Sequence, residues 1–379
     1  MNNPPDSLDP ERQQRAKQYA AIRRRLSLLE MAASAVYLLL WILLGWPRWV
    51  QAAWHTTAAP VWLEPLLMTL TIGLPWLALT FPLDYYLGFV LPHRFQLSTQ
   101  TFGAWLVDQA KGLLVSAAIG LPLLLGLYGL MRSNPAGWWL WASAGYALVT
   151  AVLAVLSPVL LLPLFYKLKP LGDTHAELRQ RLLDLAQAAG ARIEGVYQFD
   201  MSRRTRAANA ALTGLGKTRR ILLADTLLES FEDDEIETVL AHELAHHVHR
   251  DIPLSLLVGI GLSFGGFYLL ALGLEQIGAR LGLSGPADPA GLPLLALLLG
   301  AFGLATMPLG NAFSRWRERL ADEFALNLSR KPAAFSRAMT RLANQNLADA
   351  DPPRWVVWLL SSHPPLRDRI ARAERARDA

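Results

Sequence analysis

Residues 239–251 read VLAHELAHHVHRD and hold four of the chain's eight histidines. On an α-helix, positions i and i+4 share one face, a turn apart. His242 and His246 have that spacing, so both imidazoles can point at one metal ion. Glu243 sits one step round, within reach of a water on that ion. His-Glu-x-x-His is the arrangement in which two histidines hold zinc and the Glu acts as general base in hydrolysis. His247 falls on another face and is expected to be solvated. His249 shares roughly the face of His242, but about two turns and ~10 Å on. It is expected behind a ligand or at the surface.

A catalytic zinc takes three protein ligands and keeps one open position. The chain has no cysteine, which excludes thiolate ligands, disulfides and a cysteine nucleophile. The third ligand must be His, Asp or Glu. RERLADEFA (317–325) offers Glu318 and, one turn on, Asp322. With this spacing Glu318 can bind the ion while Asp322 accepts an N–H from a ligand histidine, fixing its tautomer.

The elements that must position these groups belong to a membrane protein. Of 379 residues, 53% are hydrophobic and 18% charged, too apolar for an ordinary soluble domain. The excess is clustered in six runs near the ~20 residues that cross a bilayer: 28–46, 63–81, 113–131, 138–166, 252–277 and 292–309. The second continues as LTFPLDYYLGFVLPHRF, with Pro82, Asp84 and Pro92. That leaves a half-span or a helix running beyond the bilayer, and a count of five to seven spans. Five segments follow: a basic cytosolic stretch 1–27, a bundle of about four spans over 28–166, a polar insert 167–251, two spans in 252–309 and a C-terminal catalytic segment 310–379.

The stretch 1–27 carries RQQRAK and AIRRRL. The apolar run after it starts too late and is too long for a signal peptide, and the basic flank is expected in the cytoplasm. Six spans then put the loop with Arg94 and Lys111, the insert and the C-terminal segment on that side. The outer loops would hold only Arg48, Arg132 and Arg280 among few basic residues. These flanks account for the net charge of +5. No basic–aromatic motif accompanies it, so nucleic acid is not an expected partner.

Within the insert, HAELRQRLLDLAQAAG has helical period and ends at Gly190. IEGVYQFD alternates like a strand. NAALTGLGKTRRILLAD reads as a hairpin with a Gly-rich turn. LESFEDDEIETVLAHELAHHVHR reads as one long helix, with Ser230 and Asp233 placed like a capping box. NAFSRWRERLADEFALNLS reads as a separate amphipathic helix, and SSHPPLRDRIARAERARDA as a Pro-containing turn followed by a charged helix.

Four motifs, in order, are NAALTG before the metal helix, His242-Glu243-x-x-His246, Glu318-x-x-Ala321-Asp322 after two spans, and SHPPLRDR near the end. Together with the preceding spans they resemble the integral-membrane CAAX prenyl endopeptidases, a family of zinc metallopeptidases. Related heat-shock-type membrane proteases share the zinc motifs and carry an acidic residue where Asp251 stands, but their chains are shorter. The eukaryotic prenyl proteases have seven spans, against six clear runs here. The resemblance implies a mainly α, multi-span transmembrane helical bundle with a cytosolic zinc peptidase domain containing a small hairpin or sheet. It implies one Zn2+ per chain and a chamber enclosed by the spans. It also implies that the strand Asn209, Ala210, Ala211, Leu212, Thr213 binds extended peptide by strand addition, that His363 donates a hydrogen bond to the developing oxyanion, and that Arg369 supports the site.

Two other readings have a sequence basis. GLSFG at 261–265 would place Ser263 as a nucleophile, as in rhomboid-type serine proteases, but no histidine lies in the core of any span to serve it. Small residues there suit close helix packing. A non-catalytic membrane protein with a structural metal would have no need of Glu243. The sequence therefore leads to a zinc endopeptidase of the bacterial inner (plasma) membrane, its active site facing the cytoplasm and its substrates peptides or proteins. Either CAAX-type processing or membrane-protein quality control would employ it.

Overall fold

The computed structural model describes residues 7–55, 60–214 and 219–378. Six of its helices are long and apolar enough to cross a membrane. In chain order they are α1 (Pro10–Leu43), α3 (Glu64–Arg94), α4 (Phe102–Ser133), α5 (Trp138–Phe165), α9 (Asp251–Arg280) and α10 (Leu292–Ser329), with a short α2 (Trp46–His55) after α1. Each expected apolar run falls in one of them to within about three residues. α1, α3, α4, α9 and α10 extend past the run at one or both ends. The basic stretch after Pro10 is already helical and continuous with the first span. Asp9 caps that helix, accepting from the Glu11 and Arg12 N–H groups.

The ambiguous stretch 79–95 is neither a half-span nor a separate crossing. Pro82 is accommodated inside α3, and the helix continues through a π-helical segment, Tyr86–Val90, to Arg94. Such a segment realigns the backbone bonds that a proline interrupts. The sixth run and the polar helix expected after it are likewise one element. α10 runs unbroken for 38 residues with Pro308 inside it, about 57 Å at 1.5 Å per residue. Glu318 therefore sits on the same rod as the last span, about 13 Å beyond Leu309.

Packing carries α3 onto α4, α4 onto α5, α5 onto α9, α9 onto α10 and α10 back onto α3, a closed circuit with α1 also on α10. Leu43, Leu148, Leu257 and Leu309 are each 66–75% exposed, as lipid-facing side chains are in a protein whose apolar solvent is the bilayer.

The polar insert folds as one layer of sheet against helices. β1 (Leu168–Pro170), β2 (Gly195–Phe199), β3 (Ala210–Thr213) and β4 (Arg220–Ala224) form a sheet in the order β1-β2-β4-β3. β2 and β4 are parallel, and the other pairs antiparallel. β4 is the buried centre: Ile221, Leu222, Leu223 and Ala224 are all buried, which is why its sequence is a continuous apolar run rather than an alternation. The expected hairpin is β3–β4, with Leu212 opposite Ile221. Its Gly-rich turn at 215–218 lies outside the described residues. β3 is an edge strand. Helix α6 (Ala176–Ala188) places Leu178, Leu182 and Ala186 on one buried stripe. They share a core with Ile236, Leu240 and Leu244 of α8 (Asp233–Val248) and with Phe335 and Met339 of α11 (Pro332–Gln345).

The long helix expected over the metal motif is two. α7 (Asp225–Ser230) ends at Ser230, Phe231 is extended, and α8 starts at Asp233. Ser230 and Asp233 do not cap it. Glu232 is the cap, and its side chain and that of Glu235 close a reciprocal capping box. A carboxylate at this end serves the orphan N–H groups and the helix dipole together.

Candidate metal centre

α8 brings His242 and His246 to one face, and α10 crosses it with Glu318. The two Nε2 atoms are 3.3 Å apart. Glu318 Oε2 is 3.2 Å from His242 Nε2, and Oε1 is 3.5 Å from His246 Nε2. Donor atoms bound at ~2.0–2.2 Å round a tetrahedral zinc lie about 3.3–3.5 Å apart. These three therefore have the separations of a ligand set. Glu318 Oε2 is also buried without a hydrogen bond, so its lone pairs converge on a point shared with the imidazoles rather than on a donor. Among the described residues, this is the one group of three His, Asp or Glu side chains that could share an ion. Burial and Arg369 disfavour charge on His242. The neighbouring Asp322 and Glu318 carboxylates outweigh them and push its pKa up to about 9.

Each imidazole is held from behind. Asp322 Oδ1 is 3.0 Å from His242 Nδ1. Asp322 is in turn clamped by Arg369 of α13 (Leu366–Asp378), whose Nε and Nη2 donate to it at 2.6–3.1 Å. His246 Nδ1 meets Asp251 Oδ2 at 2.7 Å, and Asp251 is paired with Arg317. Both Nε2 atoms are thereby turned toward Glu318. Sequence reasoning anticipated Asp322 and Arg369 but gave Asp251 no such role. In a continuous helix, Asp251 would point well away from His246. The chain turns left-handed at Arg250 (φ 56°), and α9 restarts at Asp251. No residue type marks that turn, since a left-handed Arg is uncommon.

Glu243 is half-buried beside the three donors. Burial raises its pKa and the Glu318 charge adds to this, against His242, His246 and Arg369. It lines a cleft of about 550 Å³ with Leu212, Gly214, Arg219 and His246. The end of the edge strand thus faces the same space as Glu243. Asn209 lies just before β3, not in it, although its carbonyl still accepts the Ala224 N–H at 3.0 Å. The approach to the strand is fixed by Asn346, which bonds both the N–H and the carbonyl of Ala208, at 2.8 and 3.1 Å. Nothing in the sequence singled out Asn346.

His363 folds back to the centre. Its Nε2 is 3.3 Å from Glu318 Oε1, Nδ1 is 2.9 Å from Ser362 Oγ, and the side chain is 60% exposed. It is outside the converging group of three. His247 is half-buried and lines the Glu243 cleft; burial and Arg219 lower its pKa. His249 is no ligand: its ring packs edge-on against Phe324. Ser263 is buried in α9, where its hydroxyl donates to the Ile260 carbonyl at 2.8 Å.

With this geometry in place, the comparisons with known proteins agree. The model of peptidase family M48 matches residues 173–377, and that of the CAAX prenyl protease N-terminal region, described as five membrane helices, matches 3–167. The chain belongs to peptidase family M48, on its membrane-embedded CAAX prenyl protease branch, and is a metalloendopeptidase of the membrane. An uncharacterized metalloprotease of Bacillus subtilis, YhfN, is 32% identical over 88% of this chain and 77% of its own length. CAAX prenyl protease 1 of Saccharomyces cerevisiae is 30% identical over 76% of this chain and 67% of its own. The crystal structure of S. mikatae Ste24p superposes with a TM-score of 0.83 at 26% identity, covering 97% of this chain and 90% of that one. Within 3–167, four described helices are long and apolar enough to span, where the family model is described with five; α2 is a ten-residue piece between two of them.

Proposed function

We propose that this chain is a zinc endopeptidase in which His242, His246 and Glu318 hold the ion, Glu243 is the general base and peptide substrates lie along β3 as an added strand. The observation that carries the reading is the convergence of three donor atoms at tetrahedral separations with Glu243 beside them. A zinc ion held there would supply Lewis-acid chemistry, making a water nucleophilic near neutral pH. Glu243 would act as the general base, taking a proton from the attacking water and returning it to the leaving amine. Its raised pKa, a consequence of burial, suits a group that must both accept and return a proton. His363, exposed beside Glu318, donates to the oxygen of the attacked carbonyl as charge develops there. Asp322 and Asp251 hold the two imidazoles, and Arg369 holds Asp322.

Strand addition at β3 reads the main chain and is tolerant of side chains. The substrate class is therefore an extended peptide segment, drawn from CAAX-type termini like those in the names of the relatives or from membrane proteins undergoing quality control. The basic start of α1 and the even number of spans support a cytoplasmic site in a bacterial inner membrane.

The test is Glu243→Gln, which keeps the shape and loses the basicity. Zinc content should remain one per chain while proteolysis falls by more than about 100-fold. Retained turnover would remove Glu243 from the base role. Proteins trapped on this variant then identify the substrate as prenylated termini or membrane-protein segments.

A further inference from the structure

A second concavity, of about 660 Å³, lies between the polar end of α10, the short α12 (Arg354–Leu360) and α13. Its lining carries six arginines, Arg315, Arg319, Arg354, Arg369, Arg372 and Arg375, against Asp322, Asp351 and Asp368. Much of this charge is already engaged. Arg369 is taken by Asp322, and Asp351 by Arg367 at 2.7 Å. Arg315 donates to the Ser361 carbonyl and Arg372 to the Arg319 carbonyl. Arg319, Arg354 and Arg375 are exposed, and none has a side-chain acceptor among the described residues. Three free guanidiniums thus face a cleft with Asp368 as their main counterweight. Such planar donors match the oxygens of a phosphate bidentately.

The position of the cleft selects the kind of phosphate. α10 is apolar to Leu309, and Arg315 follows about 9 Å on. α12 docks at this boundary, where Asn311 Nδ2 donates to the Leu359 carbonyl at 2.6 Å. It presents Trp355 and Trp358, 48% and 63% exposed, and Trp358 lines the cleft. Exposed tryptophans just past the end of a span mark the depth of lipid headgroups. From α1, Arg24 lies over the Trp355 ring at 5.4 Å. We propose that this cleft binds the phosphate headgroup of an anionic phospholipid, with Arg319, Arg354 and Arg375 as donors and the two tryptophans at the membrane boundary. Basic pockets beside spans take lipid headgroups in this way.

The full chain, purified from mixed micelles of phosphatidylglycerol and phosphatidylcholine, is examined by native mass spectrometry for retained lipid. Wild type should be enriched in phosphatidylglycerol. Each basic residue near a membrane face contributes roughly a fivefold factor, so Arg319→Ala/Arg354→Ala/Arg375→Ala should lower the enrichment at least about fivefold. A charge-matched control, Lys169→Ala/Arg192→Ala/Arg330→Ala, should keep it. Equal enrichment in wild type and the cleft variant, or an equal loss in both triple variants, would overturn the assignment. Inorganic phosphate with lipid-free, detergent-solubilised protein separates the two sources. Thermal stabilisation by phosphate that only the cleft variant loses, with no lipid retained by wild type, would make this a soluble-anion site instead. Should the triple variant fail to fold, Arg354→Glu at the exposed start of α12 must show the same loss of phosphatidylglycerol.

Discussion

Asp251→Asn replaces a carboxylate by a neutral amide of the same size and asks whether the turn at Arg250 builds the metal centre. The carboxylate lies 2.7 Å from His246 Nδ1 and is 7% exposed. A hydrogen bond to a charged group contributes about 1.5–3 kcal/mol, and loss of such a partner behind a ligand histidine typically costs 10–100-fold in metal affinity. Here the loss should approach the upper end. Arg317 is paired with Asp251 and its side chain is 11% exposed. Neutralising Asp251 leaves that guanidinium uncompensated beside His246, where it opposes any cation. The assay is competition for zinc between metal-free, detergent-solubilised protein and a chromophoric chelator, giving a dissociation constant for each variant. Asp251→Asn should weaken zinc by about 100-fold. Adding Arg317→Met removes the stranded charge and should recover about tenfold of it, a coupling of the size expected for residues in contact. Zinc affinity within about threefold of wild type in Asp251→Asn would mean that packing alone orients His246. A double variant no better than the single one would remove Arg317 from the argument.

Glu318→Ala should strip zinc from the purified protein, measured by metal analysis; normal occupancy would take Glu318 out of the ligand set and bring Asp322 forward. His363→Ala should leave zinc unchanged and lower kcat about 10²–10³-fold, the usual cost of one oxyanion donor. Loss of metal in that variant instead would make His363 a ligand. Single cysteines placed at Lys17, Arg192 and Glu374 should all react with an impermeant thiol reagent from one side of the membrane, and those at Ser133 and Ser284 from the other. The chain has no cysteine of its own to confuse the labelling, and Lys17 reacting opposite to Glu374 would require an odd number of spans.

What the sequence made legible was what depends on local spacing. His242 and His246 share a face because any α-helix puts i and i+4 together, and Leu178, Leu182 and Ala186 line α6 for the same reason. The edge strand before the metal helix was readable from apolar runs flanking a Gly-rich turn. The errors fall where a boundary depends on tertiary context. Pro82 looks like a break, yet it lies inside a continuous helix, and the last span runs through Pro308 into the polar helix without interruption, as prolines in packed membrane helices are tolerated. Ser230 looks like a cap, yet Phe231 is 7% exposed and buried in the core, which moves the start of α8 on to Glu232.

The site divides along the same line. The resemblance anticipated Arg369, and spacing anticipated Asp322, because both act through residues already marked by motifs. Asp251, noted only as an acidic position shared with the heat-shock-type proteases, and Asn346 act through backbone geometry that residue spacing does not record: a left-handed turn in one case, a clamp on Ala208 in the other. The consequence is mechanical. α10 carries Glu318 and Asp322 on the rod of the last span, and α9 begins with Asp251 as it enters the membrane. Two of the three proposed ligands are therefore held by helices that run on into the bilayer. The third proposed ligand, His242, is tied through Asp322 to the same rod. A shift of α9 against α10 would pull Asp251 from His246 and Glu318 from both imidazoles at once. The centre should thus be sensitive to detergent or bilayer thickness in a way that a peptidase with all its ligands on a soluble domain is not.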